Sequence, residues 1–180
     1  MNITVYCSAC DELDEQYQHL AQQLGHWIGS HGHTLVYGGV DAGLMHIVAQ
    51  ATHNSGGYVL GIVPQTFMHR IDPICDEVEY AEDLNDRKGR MMQQGDAFVV
   101  LPGGIGTLDE WISTLSQLLV LDDEQRGIIV ADLDDLYASM LLQLQRIEQS
   151  PVGRGRWLVE RQVMVNDAEQ MIEELDRLNI

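Results

Sequence analysis

A chain of 180 residues with 45% hydrophobic content can bury one sizeable core, so a single domain over residues 1–180 is expected. Its net charge of −18 at pH 7 repels polyphosphates and anionic lipid at long range, which argues against nucleic acid or a membrane surface as partner. The apolar runs are too short to span a bilayer, and Met1-Asn2-Ile3-Thr4-Val5-Tyr6 lacks the basic and apolar stretches of a signal peptide, so a cytoplasmic protein is expected.

Residues 3–7 form a short apolar strand that ends at the polar Ser8. Cys7-x-x-Cys10 lacks the aromatic or proline surroundings of a redox motif, and with Cys75 the cysteines are too few for a disulfide framework. Tyr17, Leu20, Ala21, Leu24, Trp27 and Ile28 then recur at helical spacing, with Gly29 to Gly32 marking the stop. Residues 34–37 are the second strand, followed by Gly38-Gly39 and a helix carrying Leu44, Val48 and Ala51. The glycine pair reads either as ordinary strand-to-helix geometry or as part of a binding edge. There is no HExxH, and His31, His33, His46 and His53 read as loop and helix-surface residues, so neither metal nor cofactor is expected.

A third strand covers residues 58–64, and Pro64 closes it. Residues 65–76 read as a longer loop and a candidate lid, and residues 77–80 as a fourth strand. The helix over residues 83–94 holds Arg87, Lys88 and Arg90, three of the ten basic residues of the chain. That cluster is either a solvated helix face or the basic side of an anion site, and on the second reading Arg87 sits on a functional loop edge and contributes little to the core. Strands over residues 96–101, 127–131 and 163–165 follow, with helices over residues 107–119, 133–147 and 168–178.

The most informative stretch is Leu101-Pro102-Gly103-Gly104-Ile105-Gly106-Thr107-Leu108-Asp109-Glu110. A strand runs into three glycines and then a helix, where positive φ angles and close backbone approach would suit an anion held on free N–H groups. The pattern is neither GxGxxG nor GxxxxGK[ST], and it has no phosphate-binding lysine, so a phosphate would be held rather than transferred. Thr107-x-x-Glu110 also fits a capping box, in which Thr107 caps the helix and Glu110 reaches back. Thr114, four residues on, shares the Glu110 face. Strands alternating with helices predict an α/β, Rossmann-like, doubly wound and mainly parallel sheet flanked by helices. Ser8, Gly38-Gly39 and Gly103-Gly104 would then meet at the carboxyl edge, where such sheets bind ligands.

Gly38-Gly39 with Gly43-Leu44-Met45, Arg87-Lys88 with Met91 or Met92, and Pro102-Gly103-Gly104-x-Gly106-Thr107-x-x-Glu110 together resemble the Lonely Guy family over most of the chain. The resemblance implies a phosphoribohydrolase that releases a free base and ribose 5-phosphate from a nucleoside 5'-monophosphate, such as AMP or a cytokinin precursor, and it implies a homodimer. It places the phosphate cradle on Gly103, Gly104, Gly106 and Thr107, the catalytic pair on Arg87 and Glu110, and Lys88 beside them. Several positions depart from the family: His46 stands for a glycine, Cys7-Ser8-Ala9-Cys10 replaces a CGSS-like turn, Ile71 stands where many members have an acidic residue after the arginine, and the helix after Glu110 lacks the usual tryptophan-x-glutamine-leucine-glycine spacing, with Gln117 two places early. A nucleotide or molybdenum-cofactor carrier would keep the glycines without needing Arg87 and Glu110 together. A pyridoxal-dependent lysine decarboxylase would need a Schiff-base lysine and a cofactor domain, for which the chain has few lysines and little length.

Overall fold

The apolar runs become strands because a parallel strand covered by helices on both faces has no polar side to show. In the computed structural model, which describes residues 1–123, 125–153 and 159–178, the strands are β1 (Asn2–Tyr6), β2 (Thr34–Tyr37), β3 (Tyr58–Pro64), β4 (Glu77–Ala81), β5 (Ala97–Val100), β6 (Ile128–Ala131) and β7 (Gln162–Val165). They alternate with α1 (Glu15–Ser30), α2 (Gly43–Asn54), α3 (Leu84–Gln94), α4 (Ile105–Val120), α5 (Ala138–Glu148) and α6 (Ala168–Leu178). One sheet has the order β4-β3-β2-β1-β5-β6-β7, with every pairing parallel. None of the described helices is long and apolar enough to cross a membrane.

Alternate strand residues feed two cores, as the two-residue period of a strand requires. Ile3, Val5, Ala97 and Val99 join Leu24 and Ile28 of α1, Leu44 and Val48 of α2 and Leu175 of α6. Tyr6, Phe98 and Val100 face the other way and join Met91 of α3 with Trp111, Leu115 and Leu118 of α4. The stop read over Gly29 to Gly32 is met, since α1 ends at Ser30, and Gly29 has a packing role as well. It lies within the helix, where an added Cβ would come within 2.4 Å of the Thr52 carbonyl oxygen of α2, and the exit is made at Gly32 with φ of 67°.

Two stretches differ from expectation. The helix over 133–147 is broken: a 3-10 turn at Leu133–Asp135 precedes α5, and Asp134 and Asp135 both have φ of 58°. Asp132 Oδ1 accepts the Tyr137 N–H at 2.6 Å, a local bond that competes with helix continuation. The loop over 65–76 contains a 3-10 segment, Gln65–Arg70, docked on the loop after β2. Asp41 N–H donates to Arg70 O and Asp72 N–H to Gly39 O, both at 2.9 Å, around an antiparallel bridge between Val40 and Ile71.

The winding reverses between β1 and β5, the central neighbours of the sheet. At that switch point loops leave in opposite directions and open a crevice at the carboxyl ends of the strands. The Ser8 N–H donates to Pro102 O at 3.2 Å across it, so the loops after β1 and β5 form one edge.

Candidate active site

The glycine turn after β5 leads straight into α4. Its first helical bond runs from Leu108 N–H to Gly104 O at 3.0 Å, and Gly104 is the N-cap with no side chain to supply a cap. Helix geometry therefore leaves the N–H groups of Ile105, Gly106 and Thr107 without intrahelical acceptors. Thr107 lies inside the helix instead of capping it, so the capping-box reading of Glu110 is not met. The expected positive φ is also missing from Gly103, Gly104 and Gly106. Gly103 is needed because an added Cβ would fall 2.1 Å from Thr107 Oγ1. At Gly104 and Gly106 an added Cβ would meet no protein atom within 4 Å, so these exposed glycines leave room outside the helix end.

Glu110, one turn further along, is 3% exposed, and its Oε1 accepts Arg87 Nη2 of α3 at 2.5 Å. Burial disfavours the carboxylate while Arg87 favours it; burial wins, assisted by nearby Asp109, and pushes the Glu110 pKa up to about 7. Arg87 is 8% exposed within a helix, which corrects the expectation of a loop residue with little structural weight. Its side chain neutralises a buried carboxylate, and its Nε has no hydrogen-bond partner among the described residues. Asp109, the neighbouring carboxylate, is exposed and turned away, with both oxygens accepting Lys88 Nζ at 2.8 and 2.9 Å. Lys88 is the only lysine in the sequence, so a Schiff-base reading would have to break that ion pair.

A cavity of about 520 Å³ lies over this pair. Ser8, Arg87, Gly104, Gly106, Thr107 and Glu110 line it, joining residues from the loops after β1 and β5 and from α3 and α4. Gly38, Gly39, Lys88, Gly103 and Thr114 are outside its lining. Gly38 packs behind Arg87, since an added Cβ would stand 3.2 Å from Nη1, and Gly39 has φ of 67° in the turn. Thr114 shares the buried face of Glu110, but its hydroxyl is paired with that of Tyr6 at 2.8 Å. The lining also includes Val40, Phe67, Arg70 and Leu84, which sequence reasoning did not single out, and Met45 from the Gly43-Leu44-Met45 stretch that it did. The candidate lid over residues 65–76 and the family departure noted at Ile71 both pointed to that region.

Cys7 and Cys10 reach the cavity as free cysteines. Burial holds the Cys7 thiol far above the ordinary range, so it is not poised as a thiolate for redox chemistry. Of the histidines read as surface residues, His33 is buried, and His46 stands between Asp41 and Asp72.

Residues 45–175 match the family model described as "Possible lysine decarboxylase". The cytokinin riboside 5'-monophosphate phosphoribohydrolase LOG3 of Arabidopsis thaliana is 34% identical over 181 residues, covering 97% of this chain and 81% of that protein. The chain belongs to the Lonely Guy family. The probable cytokinin riboside 5'-monophosphate phosphoribohydrolase LOGL6 of Oryza sativa subsp. japonica is 37% identical over 142 residues, covering 77% of this chain and 56% of that relative. LOG7 of Arabidopsis thaliana is 37% identical over 141 residues, covering 77% of this chain and 64% of its own length, so the match spans less than two thirds of both these Lonely Guy proteins. The fold is shared with the molybdenum cofactor binding protein of Rippkaea orientalis, at a TM-score of 0.77 and 22% identity over 99% of this chain and 97% of the other. Within this Lonely Guy chain the family model takes in Arg87 and Glu110, whereas Ser8, Gly38 and Gly39 precede its first matched residue.

Proposed function

We propose that this protein is a metal-independent phosphoribohydrolase that cleaves the N-glycosidic bond of a nucleoside 5'-monophosphate, AMP or a cytokinin riboside monophosphate, to free base and ribose 5-phosphate. The observation that carries the reading is the buried Arg87–Glu110 pair set beside an uncapped helix start in a single cavity. The phosphate sits against the N–H groups of Ile105, Gly106 and Thr107, where the helix dipole favours an anion. Ser8 belongs to the same binding edge; Gly38 and Gly39 shape the turn beside Arg87, Gly103 makes room for Thr107, and Lys88 and Thr114 flank the pair through Asp109 and Tyr6.

This anchoring brings the ribose over Glu110. As the bond from C1' to the base nitrogen breaks, its electron pair leaves with the base and positive charge builds on the ribose, which the carboxylate stabilises. Water adds its oxygen to C1' and gives a proton to Glu110, the departing base takes a proton from solvent, and Glu110 returns its own to solvent, so one water is consumed per bond broken. Arg87 keeps enough of Glu110 ionised near neutral pH and aligns it through Nη2. Its guanidinium can hydrogen-bond the departing base but does not act as an acid there.

The protein acts as a cytoplasmic homodimer in this reading. Ile105 and Val120 of α4 are 84% and 71% exposed, and a second copy would cover such apolar side chains. Incubation with AMP and with isopentenyladenosine monophosphate, with chromatography of the released bases, tests the activity. Glu110→Gln should keep nucleotide binding and a near-parental melting temperature, because the amide oxygen still accepts from Arg87, while base release falls at least about a hundredfold. Unchanged release by that variant would remove Glu110 from the chemistry.

A further inference from the structure

The 3-10 segment Gln65–Arg70 puts Phe67 and Arg70 into the cavity wall, facing Glu110 and the start of α4, yet none of its six residues is buried. Arg70 makes no ion pair among the described residues, so its charge is available to the cavity. Within it only Phe67 packs, half-buried, against the core, and the other five residues are exposed, so most of its hold comes from outside. The hold is at its end, where the strand-like bridge of Val40 with Ile71 lies next to the Asp72 side chain, which is fully buried.

A buried carboxylate needs donors on its oxygens, because leaving it unpaired is costly in a low-dielectric surrounding. Asp72 Oδ1 accepts the Ile74 N–H at 3.1 Å, and Oδ2 lies 3.0 Å from His46 Nδ1 of α2. The same His46 nitrogen is 3.3 Å from Asp41 Oδ1, on the loop to which the segment is docked. His46 thus touches both sides of the joint. It occupies the position where the family resemblance has glycine, which could donate no side-chain hydrogen bond there.

We infer that His46 is a positioning residue for the cavity: by donating Nδ1–H to buried Asp72 beside Asp41, it holds the 3-10 segment so that Phe67 and Arg70 face the substrate. The part concerning substrate rests on the proposed function, and the part concerning the joint does not. Backbone hydrogen exchange and steady-state kinetics on His46→Ala and His46→Asn test it, asparagine Nδ2 being able to stand in for histidine Nδ1 as donor.

In His46→Ala, exchange at the Asp41 and Asp72 amides and through residues 65–72 should rise at least about tenfold, with β1 and β5 unchanged. The KM for a nucleoside monophosphate should rise about fivefold or more, with kcat within about twofold. His46→Asn should restore both. Parental exchange in His46→Ala overturns the inference, as does failure of His46→Asn to restore it. It is equally overturned if dialysis of the parent protein against a chelator reproduces the His46→Ala exchange, since a bridging metal ion would then hold the three side chains. A parent that releases no base defeats the proposed function alone, and the exchange comparison still decides the joint.

Discussion

The starts of α3 and α4 face the same crevice region but solve the same physical problem in opposite ways. At α3 the side chain of Asp83 accepts the N–H groups of Asn85 and Asp86 at 2.8 and 2.9 Å, so the helix satisfies its own first turn. At α4 the cap residue is Gly104, and no side chain closes the helix end. One helix start is finished internally and serves to carry Arg87 at a fixed position. The other leaves its donors and its dipole for something outside the chain. On the proposed reading, function lies where a routine stabilising device has been left out.

The strongest way to break the contrast is to give α4 the cap that α3 has. Gly104 is in an extended conformation with open space at its Cβ, so Gly104→Asp should fold normally and gain a few tenths of a kcal/mol. Its carboxylate would occupy the free N–H groups and repel a phosphate. Nucleoside monophosphate binding, followed by calorimetry, should weaken at least about a hundredfold while nucleoside binding changes little, since only the former uses the helix end. Equal losses for both ligands would count against the cradle.

The second test sharpens the role of the pair between the two helices. With Glu110 titrating at about 7, kcat/KM should climb as pH rises through that value and then level off, and the residual rate of Glu110→Gln should lack that step. The sign for stability is the reverse. A carboxyl group whose folded pKa lies above its ordinary 4.5 binds more protons in the folded state, so its contribution is full below 4.5 and is lost as pH rises through about 7. The melting temperature of the parent should therefore fall relative to Glu110→Gln between pH 5 and pH 8. The smallest effect belongs to α3: Asp83→Ala should cost about 1 kcal/mol by denaturant titration, typical of a lost cap. Because it touches no ligand, its KM should stay within about twofold of the parent.

Much of the fold was legible because the central parallel strands are apolar on both faces and stand out as runs, as with Phe98-Val99-Val100. The line of strand ends joining Ser8 to Pro102 followed from that alternation and the rule for switch points. What was hidden is non-local. Asp72 and His46 are separated by 26 positions, and no periodicity joins them. The docking of Gln65–Arg70 depends on backbone bonds to residues 39 and 41, so the segment read only as a longer loop and candidate lid. The glycines of the turn were legible as special but for a partly mistaken reason: Gly104 and Gly106 provide open space where unusual dihedrals were expected. Thr107-x-x-Glu110 shows the same ambiguity, since a capping-box spacing also places a carboxylate one turn into a helix whose end is left free.

The position of β5 between β1 and β6 also orders the events of synthesis. Strands β1 to β4 pair in sequence as they are made, so four neighbouring strands can assemble while β1 is still an open edge. That edge is closed only when residues 97–100 emerge and insert beside it, and the same insertion brings the loop after β5 against Ser8. A nascent chain arrested before residue 97 would therefore carry an adhesive β1 edge and half a crevice. An uncovered edge of that kind is a template for pairing with other chains.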